Sequence, residues 1–184
     1  MQLFLLSLIF LFPSALSQET TARLGRIETN YDSNNDKTTV RLLPVQISGD
    51  RNQYHSVHIA PSFSYAGREF KRPDAIEFEV QTVVKTKLKI DLYVVFVIDG
   101  EKIFLSSNRS AVKRPVRGKL WVGERLSFRM PYETLMKIKM ARTVEIKMDS
   151  VRFPLSDAVL EQVREFARRI EAGRASATLW RAPA

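Results

Sequence analysis

The chain has 184 residues, with 29 lysines and arginines against 20 aspartates and glutamates, a formal net charge of +9, and no cysteine. The lack of cysteine excludes disulfides, thiol catalysis, iron–sulfur ligation and cysteine zinc sites. The excess of positive charge predicts attraction to polyanions such as anionic lipid headgroups, acidic glycans or nucleic acid.

The first seventeen residues predict a cleavable signal peptide. Leu3 to Phe12 form an apolar run broken only by Ser7, and Ala15-Leu16-Ser17 places small residues at cleavage spacing. The run is about half of the roughly 20 residues that a membrane-spanning helix needs, so an uncleaved anchor is the weaker interpretation. We therefore expect export to the periplasm or the extracellular space and a mature chain from Gln18. Export makes lipids and glycans more accessible partners than nucleic acid.

The remaining sequence predicts a single domain over residues 18–174 and a disordered tail over residues 175–184. No repeat and no Gly/Ser-rich or Pro-rich linker divides it. Short β-rich runs alternate with turn residues, which is typical of an antiparallel sheet or β-sandwich. We expect a mainly β fold with helices (α+β), in which a short helix and a C-terminal amphipathic helix pack on the sheet.

The first elements are a hairpin and an edge strand. Residues 26–31 and 37–43 read as strands joined by the turn-rich sequence Asp32-Ser33-Asn34-Asn35-Asp36. Residues 54–65 alternate apolar positions, but Pro61 limits hydrogen bonding, which favours an edge strand. Residues 67–73 form a polar, basic loop.

The central segments predict further strands. Residues 75–84 alternate Ile76, Phe78 and Val80 with polar residues, as in a half-buried strand. Residues 88–98 contain a run from Leu92 to Ile98 that is apolar on both faces, which predicts a central strand covered on each side. Asp99-Gly100 is a type I′ turn signal that leads into a returning strand over residues 101–106. Residues 119–122 and 125–130 flank Gly123-Glu124 and suggest a second hairpin.

The C-terminal third predicts two helices around a small hairpin. Pro131 fits the start of a helix whose apolar stripe ends near Arg142, and residues 144–148 and 151–153 form the hairpin. Ser156 fits an N-cap and Gly173 a helix stop. The helix between them carries Leu160, Val163, Phe166, Ala167 and Ile170 on one face, and we expect that face to cover the sheet and the strand over residues 92–98.

Catalytic side chains are scarce. The only histidines are His55 and His58, and on a strand they would point to opposite faces, which disfavours a shared metal ion. Sequence motifs of hydrolase elbows, metalloproteases and nucleotide-binding loops are missing. Paired carboxylates remain an option for glycoside hydrolysis, but Glu77 and Glu79 fit the wet side of a strand, and Asp32 and Asp36 fit turn formation better than calcium binding.

Basic residues are the more distinctive feature. Lys85, Lys87 and Lys89 alternate along one segment, and a long connection follows the returning strand. That connection carries the candidate anion-binding residues Arg109, Lys113, Arg114 and Arg117. The alternative is that lysines protect an edge strand and that the loop is solvated. Asn108-Arg109-Ser110 also matches a glycosylation acceptor, which matters only in a eukaryotic secretory host.

The chain resembles a loose group of uncharacterised exported bacterial proteins. The resemblance rests on a YD-x-x-x-D-x-T-T-V opening, which runs here from Tyr31 to Val40, on Asp99-Gly100, and on the pattern from Val144 into the last helix. It implies a regular β-rich fold and export, and it brings no activity or site residues.

Three functions follow from these observations. The leading hypothesis is an exported noncatalytic binding or structural module of the cell envelope or secreted fraction, with a cationic surface and no cofactor. The alternative is a carrier of a small apolar ligand, with a cavity lined by residues 92–98 and 135–140. A carboxylate-dependent hydrolase ranks last.

Overall fold

The structure is a computed structural model that describes residues 26–48, 54–84, 93–116, 119–148 and 150–173. The predicted signal peptide (residues 1–17), the tail (residues 175–184) and the alternating lysines of residues 85–89 lie outside the described residues and remain predictions. None of the helices in the described ranges is long and apolar enough to span a membrane.

The described chain forms ten strands and two helices. In chain order these are β1 (Ile27–Asp32), β2 (Lys37–Leu42), β3 (Val45–Ser48), β4 (Tyr54–Ala66), β5 (Ala75–Val84), β6 (Tyr93–Ile98), β7 (Glu101–Val116), β8 (Lys119–Pro131), α1 (Tyr132–Met140), β9 (Val144–Met148), β10 (Val151–Pro154) and α2 (Asp157–Glu171).

The strands pair antiparallel in the order β1-β2-β4-β5-β8-β7-β6-β9-β10, and β3 pairs with β4. β7 belongs to two parts of this sheet. Its residues 101–106 pair with β6, and its residues 107–116 pair with β8. The long strand therefore carries the chain from one half of the sheet to the other.

The two halves of the sheet pack face to face. The ring of Phe96 on β6 lies 5.3 Å from that of Phe78 on β5 and 5.6 Å from that of Phe128 on β8, measured between centroids. All three side chains are buried, as are the neighbouring inward residues of these strands. The predicted α+β fold, with antiparallel sheets and a C-terminal helix, is confirmed.

Both turns with strong sequence signals form hairpins. Asp32 pairs with Lys37 across the β1–β2 turn, where Asp36 has a φ of 44°. Asp99 and Gly100 have φ values of 47° and 91°, so both central residues of the β6–β7 turn lie in the positive-φ region that a type I′ turn requires.

The prediction of an edge position for residues 54–65 is wrong, because β4 lies between β5 and the pair β2 and β3. The reason lies in the position of Pro61. β3 pairs with β4 at residues 57–59 and β2 pairs with it from Ser62 onward, so Pro61 falls in the gap between two short partners. Proline lacks an N–H, and a position that needs no ladder partner on that side tolerates it.

The prediction of a hairpin at Gly123-Glu124 is also wrong. Both residues lie within β8, where Gly123 pairs with Val83 and Glu124 with Thr82 of β5. The hairpin partner of β8 is instead β7, which continues ten residues beyond its predicted end at Ser106. A Gly-Glu step resembles a turn locally, but a central strand paired on both sides holds it extended.

The helices begin and end as the sequence indicates. Ser156 caps α2, with its Oγ accepting a hydrogen bond from the Val159 N–H at 3.4 Å. Arg164 joins the two helices, because its guanidinium donates to the backbone carbonyl oxygens of Lys139 and Ala141 at 3.2 and 2.6 Å. These bonds satisfy carbonyl groups at the end of α1 that lack partners within the helix.

The apolar face of α2 is buried, as predicted, but its partner differs from the expectation. Phe166 contacts Phe63 of β4 with a centroid distance of 6.0 Å, and Leu160, Val163 and Ile170 are buried with it. The inner face of β6 is covered by β5 and β8 through the contacts of Phe96. α2 therefore closes the β4 side of the core.

Candidate functional site

Three of the four predicted anion-binding residues lie on a strand, which corrects the expectation of a long connection. Arg109, Lys113 and Arg114 belong to β7 and pair with Leu126, Val122 and Trp121 of β8. Arg117 lies outside the described residues, as do the side chains of residues 107–122. The anion-binding role of the four residues therefore remains a prediction.

Pairing of β7 with β8 folds the most basic part of the sequence into one two-stranded element, which we call the basic ribbon (residues 107–129). Its seven bases stand against the single acid Glu124. The pairing places most of these bases on two adjacent strands rather than in a free loop.

The one acid of the basic ribbon is turned inward. Glu124 is 2% exposed and lies across from Thr82, which is equally buried. Arg125 and Arg129, by contrast, are exposed on the outer face. Arg125 forms an ion pair with Glu79 of β5, with a distance of 3.0 Å between Nε and Oε1. The described outer side of the ribbon is therefore basic.

The carboxylates considered for catalysis are engaged in structural contacts. Glu79 accepts a hydrogen bond from the Gln81 side chain in addition to its ion pair with Arg125. Glu77 is exposed and lies opposite Arg129. Both carboxylates therefore belong to the polar outer face of β5, and neither lies in a cleft with a second acid on the described strand pair.

The acids of the first turn stabilise that turn. The Asp32 carboxylate accepts hydrogen bonds from the Asn34 N–H at 2.9 Å and from Asn35 Nδ2 at 2.6 Å. The hydrogen bond from the Asn35 side chain, followed by that from the Asn34 backbone, lowers the pKa of Asp32. Asp36 accepts a hydrogen bond from the Tyr31 hydroxyl at 2.8 Å. These contacts support the interpretation as turn formers.

Of the two histidines, only His58 has a described side chain. It is half-buried on β4, where it pairs with Gln46 and Gln81, and burial lowers its pKa. In the part of the chain that the structure describes, no three histidine, aspartate or glutamate side chains come together in a way that would hold a metal ion.

A polar groove of about 580 Å³ lies along the first hairpin, and the sequence did not indicate it. Glu28 and Arg41 are paired across β1 and β2, and both line the groove together with Arg26. Nitrogen atoms of Arg26 and Arg41 lie 2.7 and 2.8 Å from the Glu28 carboxylate. The hydrogen bond from Arg41 is the main reason that the pKa of Glu28 lies below its ordinary value. The ion pairs satisfy much of the groove's charge internally.

A second feature that the sequence did not indicate is an apolar strip on the outer face of β6 and β7, formed by Tyr93, Val95, Val97 and Phe104. Tyr93 is 49% exposed and Phe104 is 64% exposed, and their rings meet edge to face at 6.3 Å. Val95 and Val97, the other two residues of the strip, are half-buried. The expectation that the run over residues 92–98 is covered on both sides is therefore wrong over residues 93–98, because only Val94, Phe96 and Ile98 face the core.

Basic side chains surround the apolar strip. Lys102 pairs with Val97 of the strip, and Lys147 pairs with Val95 from the opposite side. Arg152 follows Lys147 in the same row. The one acid in these rows is Glu145, which pairs with Val97 on the side opposite Lys102, and its carboxylate lies 3.9 Å from the Arg152 guanidinium.

The described residues that were assigned to a ligand cavity lie partly in the packed core and partly at the surface. Leu135 and Ile138 of α1 are buried in the core, whereas Met140 is 77% exposed. Phe96 is packed against two other rings rather than against a cavity. These positions weigh against the carrier hypothesis.

Comparison with known proteins adds no assignment. No family model matches the chain, and no curated protein or solved structure is significantly similar to it.

Proposed function

We propose that the protein is an exported, noncatalytic binding module whose basic ribbon binds anionic polymers of the cell envelope or its surroundings. One observation carries the proposal: β7 and β8 pair along residues 107–116 and 119–128, which brings the most basic segment of the chain into one element. The burial of Glu124, the only acid of the ribbon, further supports it.

Binding of this kind is electrostatic and depends on salt. The Debye length falls from about 10 Å at 0.1 M ionic strength to about 3 Å at 1 M, so exposed charges act over a much shorter range in high salt. A long two-stranded ribbon suits an extended polymer, which meets several charges in succession, better than a small anion that needs convergent donors. We therefore expect weak binding that is lost steeply with added salt.

The test is retention of the mature chain on a column that carries a carboxylated polysaccharide. The variant Lys113→Glu with Arg114→Glu and Arg117→Glu should elute at much lower salt than the wild type. The matched control, Lys37→Glu with Arg68→Glu and Lys71→Glu, changes the net charge equally but lies outside the ribbon. It should elute at higher salt than the ribbon variant. Equal elution of the two variants would assign retention to net charge alone, and salt-insensitive retention of all three proteins would refute the proposal.

Export is tested separately by N-terminal sequencing of the protein from the source cells. Cleavage after Ser17 places Gln18 at the mature terminus, because Ala15-Leu16-Ser17 provides the small residues that precede a cleavage site. Recovery of the chain with Met1 intact would contradict it.

A further inference from the structure

We propose that the apolar strip and the basic residues around it dock the protein on an anionic lipid bilayer. This inference rests on the proposed function, since it names one anionic envelope surface as a partner, and it assigns that partner to a face other than the basic ribbon.

The first reason is the continuity of the exposed apolar surface. Single exposed apolar residues are common, but a contiguous group surrounded by polar residues marks an interaction site. Val95 lies directly beside Phe104 in the register, and Tyr93 lies two positions along the same face of β6. Three large apolar side chains of the described chain are exposed, namely Tyr93, Phe104 and Met140. The strip contains the two aromatic ones.

The second reason is the charge that surrounds the strip. One row across the sheet reads Phe104, Val95, Lys147 and Arg152, and Lys102 stands beside Val97 in the next row. Neighbouring strands lie about 4.8 Å apart, so these cations lie within about 15 Å of the aromatic rings. Three bases against the single acid Glu145 match a surface of phospholipid phosphates. Cations near such a surface contribute about 1 kcal/mol each.

The third reason concerns the shape and size of the strip. It lies on a sheet surface, and it offers four apolar side chains, of which two are half-buried. A stable protein interface buries about 800 Å² on each partner and places aromatic anchors in fully desolvated pockets. A bilayer needs only shallow insertion of aromatic side chains at the headgroup level, together with basic residues that remain among the headgroups. The strip is too small for a stable protein interface and fits the requirement of a bilayer.

The experiment is cosedimentation of the mature chain with vesicles of phosphatidylcholine, and with vesicles of phosphatidylcholine that contain phosphatidylglycerol. We expect the wild type to bind the second kind and not the first. Tyr93→Thr with Phe104→Thr should weaken that binding at least tenfold, because a tenfold change corresponds to about 1.4 kcal/mol, or about 60 Å² of apolar area removed from water, and two half-exposed aromatic side chains offer more than that. Threonine retains β-strand propensity, and circular dichroism checks that the variant is folded. Met140→Gln removes the other exposed apolar side chain and should bind as the wild type does.

A second variant keeps the test decisive if the double threonine variant does not fold. Lys102→Gln with Lys147→Gln leaves the aromatic side chains in place and should also weaken binding. Its control, Lys37→Gln with Lys71→Gln, removes the same charge elsewhere and should weaken binding less. Undiminished binding of a folded strip variant would overturn the inference.

Failure of this inference and failure of the proposed function give different results. A wild type that ignores anionic vesicles yet is retained on the polysaccharide overturns the bilayer proposal and leaves the function of the basic ribbon intact. Equal binding to both kinds of vesicle overturns the anionic part of the inference. If vesicle binding depends on the strip while the ribbon variant is retained on the polysaccharide like the wild type, the proposed function fails and the bilayer contact stands.

Discussion

β5 and β6 bury the same kind of inner face and expose very different outer faces. Ile76, Phe78 and Val80 of β5 point into the core, as do Val94, Phe96 and Ile98 of β6. On the outer face, β5 presents Glu77, Glu79 and Gln81, and β6 presents Tyr93, Val95 and Val97. The polar face of β5 forms ion pairs and hydrogen bonds with its neighbours, while the apolar face of β6 remains partly exposed.

This difference shows what an apolar run in a strand does and does not specify. Burial of one face is sufficient to place β6 in the core, and the second apolar face is not needed for folding. Removing apolar area from water is favourable by about 25 cal/mol per Å². An apolar side chain that stays exposed therefore contributes none of the stabilisation that its burial would provide. We therefore interpret the outer face of β6 as selected for contact with another surface.

The largest loss of stability is expected in the cluster of three aromatic rings formed by Phe78, Phe96 and Phe128. Phe96→Ala should lower the free energy of unfolding by about 3–5 kcal/mol, because it leaves a cavity between Phe78 and Phe128. Urea denaturation measures this difference. A loss below about 1 kcal/mol would show that the inner face of β6 does not pack on β5 and β8, and the comparison would fail.

An intermediate effect is expected at Asp99, which holds the end of the β6–β7 hairpin. Its carboxylate accepts hydrogen bonds from the backbone N–H of Thr143 at 2.8 Å and of Arg142 at 3.0 Å. These bonds, that of Thr143 first, lower the pKa of Asp99. Asp99→Asn should destabilise the protein by less than Phe96→Ala.

The loss at Asp99 also depends on pH in a defined direction. A carboxyl whose pKa is lower in the folded than in the unfolded chain adds stability above the unfolded pKa of about 3.9. That stability is lost as the pH falls through the folded pKa. The gap between wild type and Asp99→Asn in urea melts should therefore be constant near pH 7 and narrow below about pH 4. A gap that widens on acidification would contradict this assignment.

The smallest effect on stability is expected on the outer face of β6 and β7. Phe104→Thr should change the free energy of unfolding by less than about 1 kcal/mol, because the ring is 64% exposed. The same urea melts measure it. A loss comparable with that of Phe96→Ala would show that the strip is part of the folded core and not a surface for docking.

The fold was predictable where local chemistry determines structure. Asp99-Gly100 requires positive φ, Ser156 provides an oxygen for a helix N-terminus, and the period of α2 places Phe166 inward, so these elements follow from the sequence. The positions of Pro61 and Gly123 did not follow. Both residues discourage a central strand. Pro61 is accommodated because it falls in the gap between β3 and β2, and Gly123 because it is held by pairing with β5, and no local window of sequence contains either arrangement.

The candidate sites were harder to predict because they depend on register. The sequence indicated the basic segment, but its place on a strand rather than in a loop follows only once β7 is known to continue past Ser106. The apolar strip depends on the pairing of Val95 with both Phe104 and Lys147. A run apolar on both faces predicted burial on both faces, and the sequence carries no signal that one face remains open.

The most direct test of the account uses the absence of cysteine, which allows a single fluorescent label to be placed on either outer face. We would label Ser106→Cys, which pairs with Tyr93 beside the apolar strip, and, separately, Glu77→Cys on the polar face of β5, and add vesicles that contain phosphatidylglycerol. We expect a blue shift of the label at position 106, with quenching by lipids that carry a headgroup-level quencher, and no change at position 77. Equal responses at the two positions, or a response at position 77 alone, would contradict it.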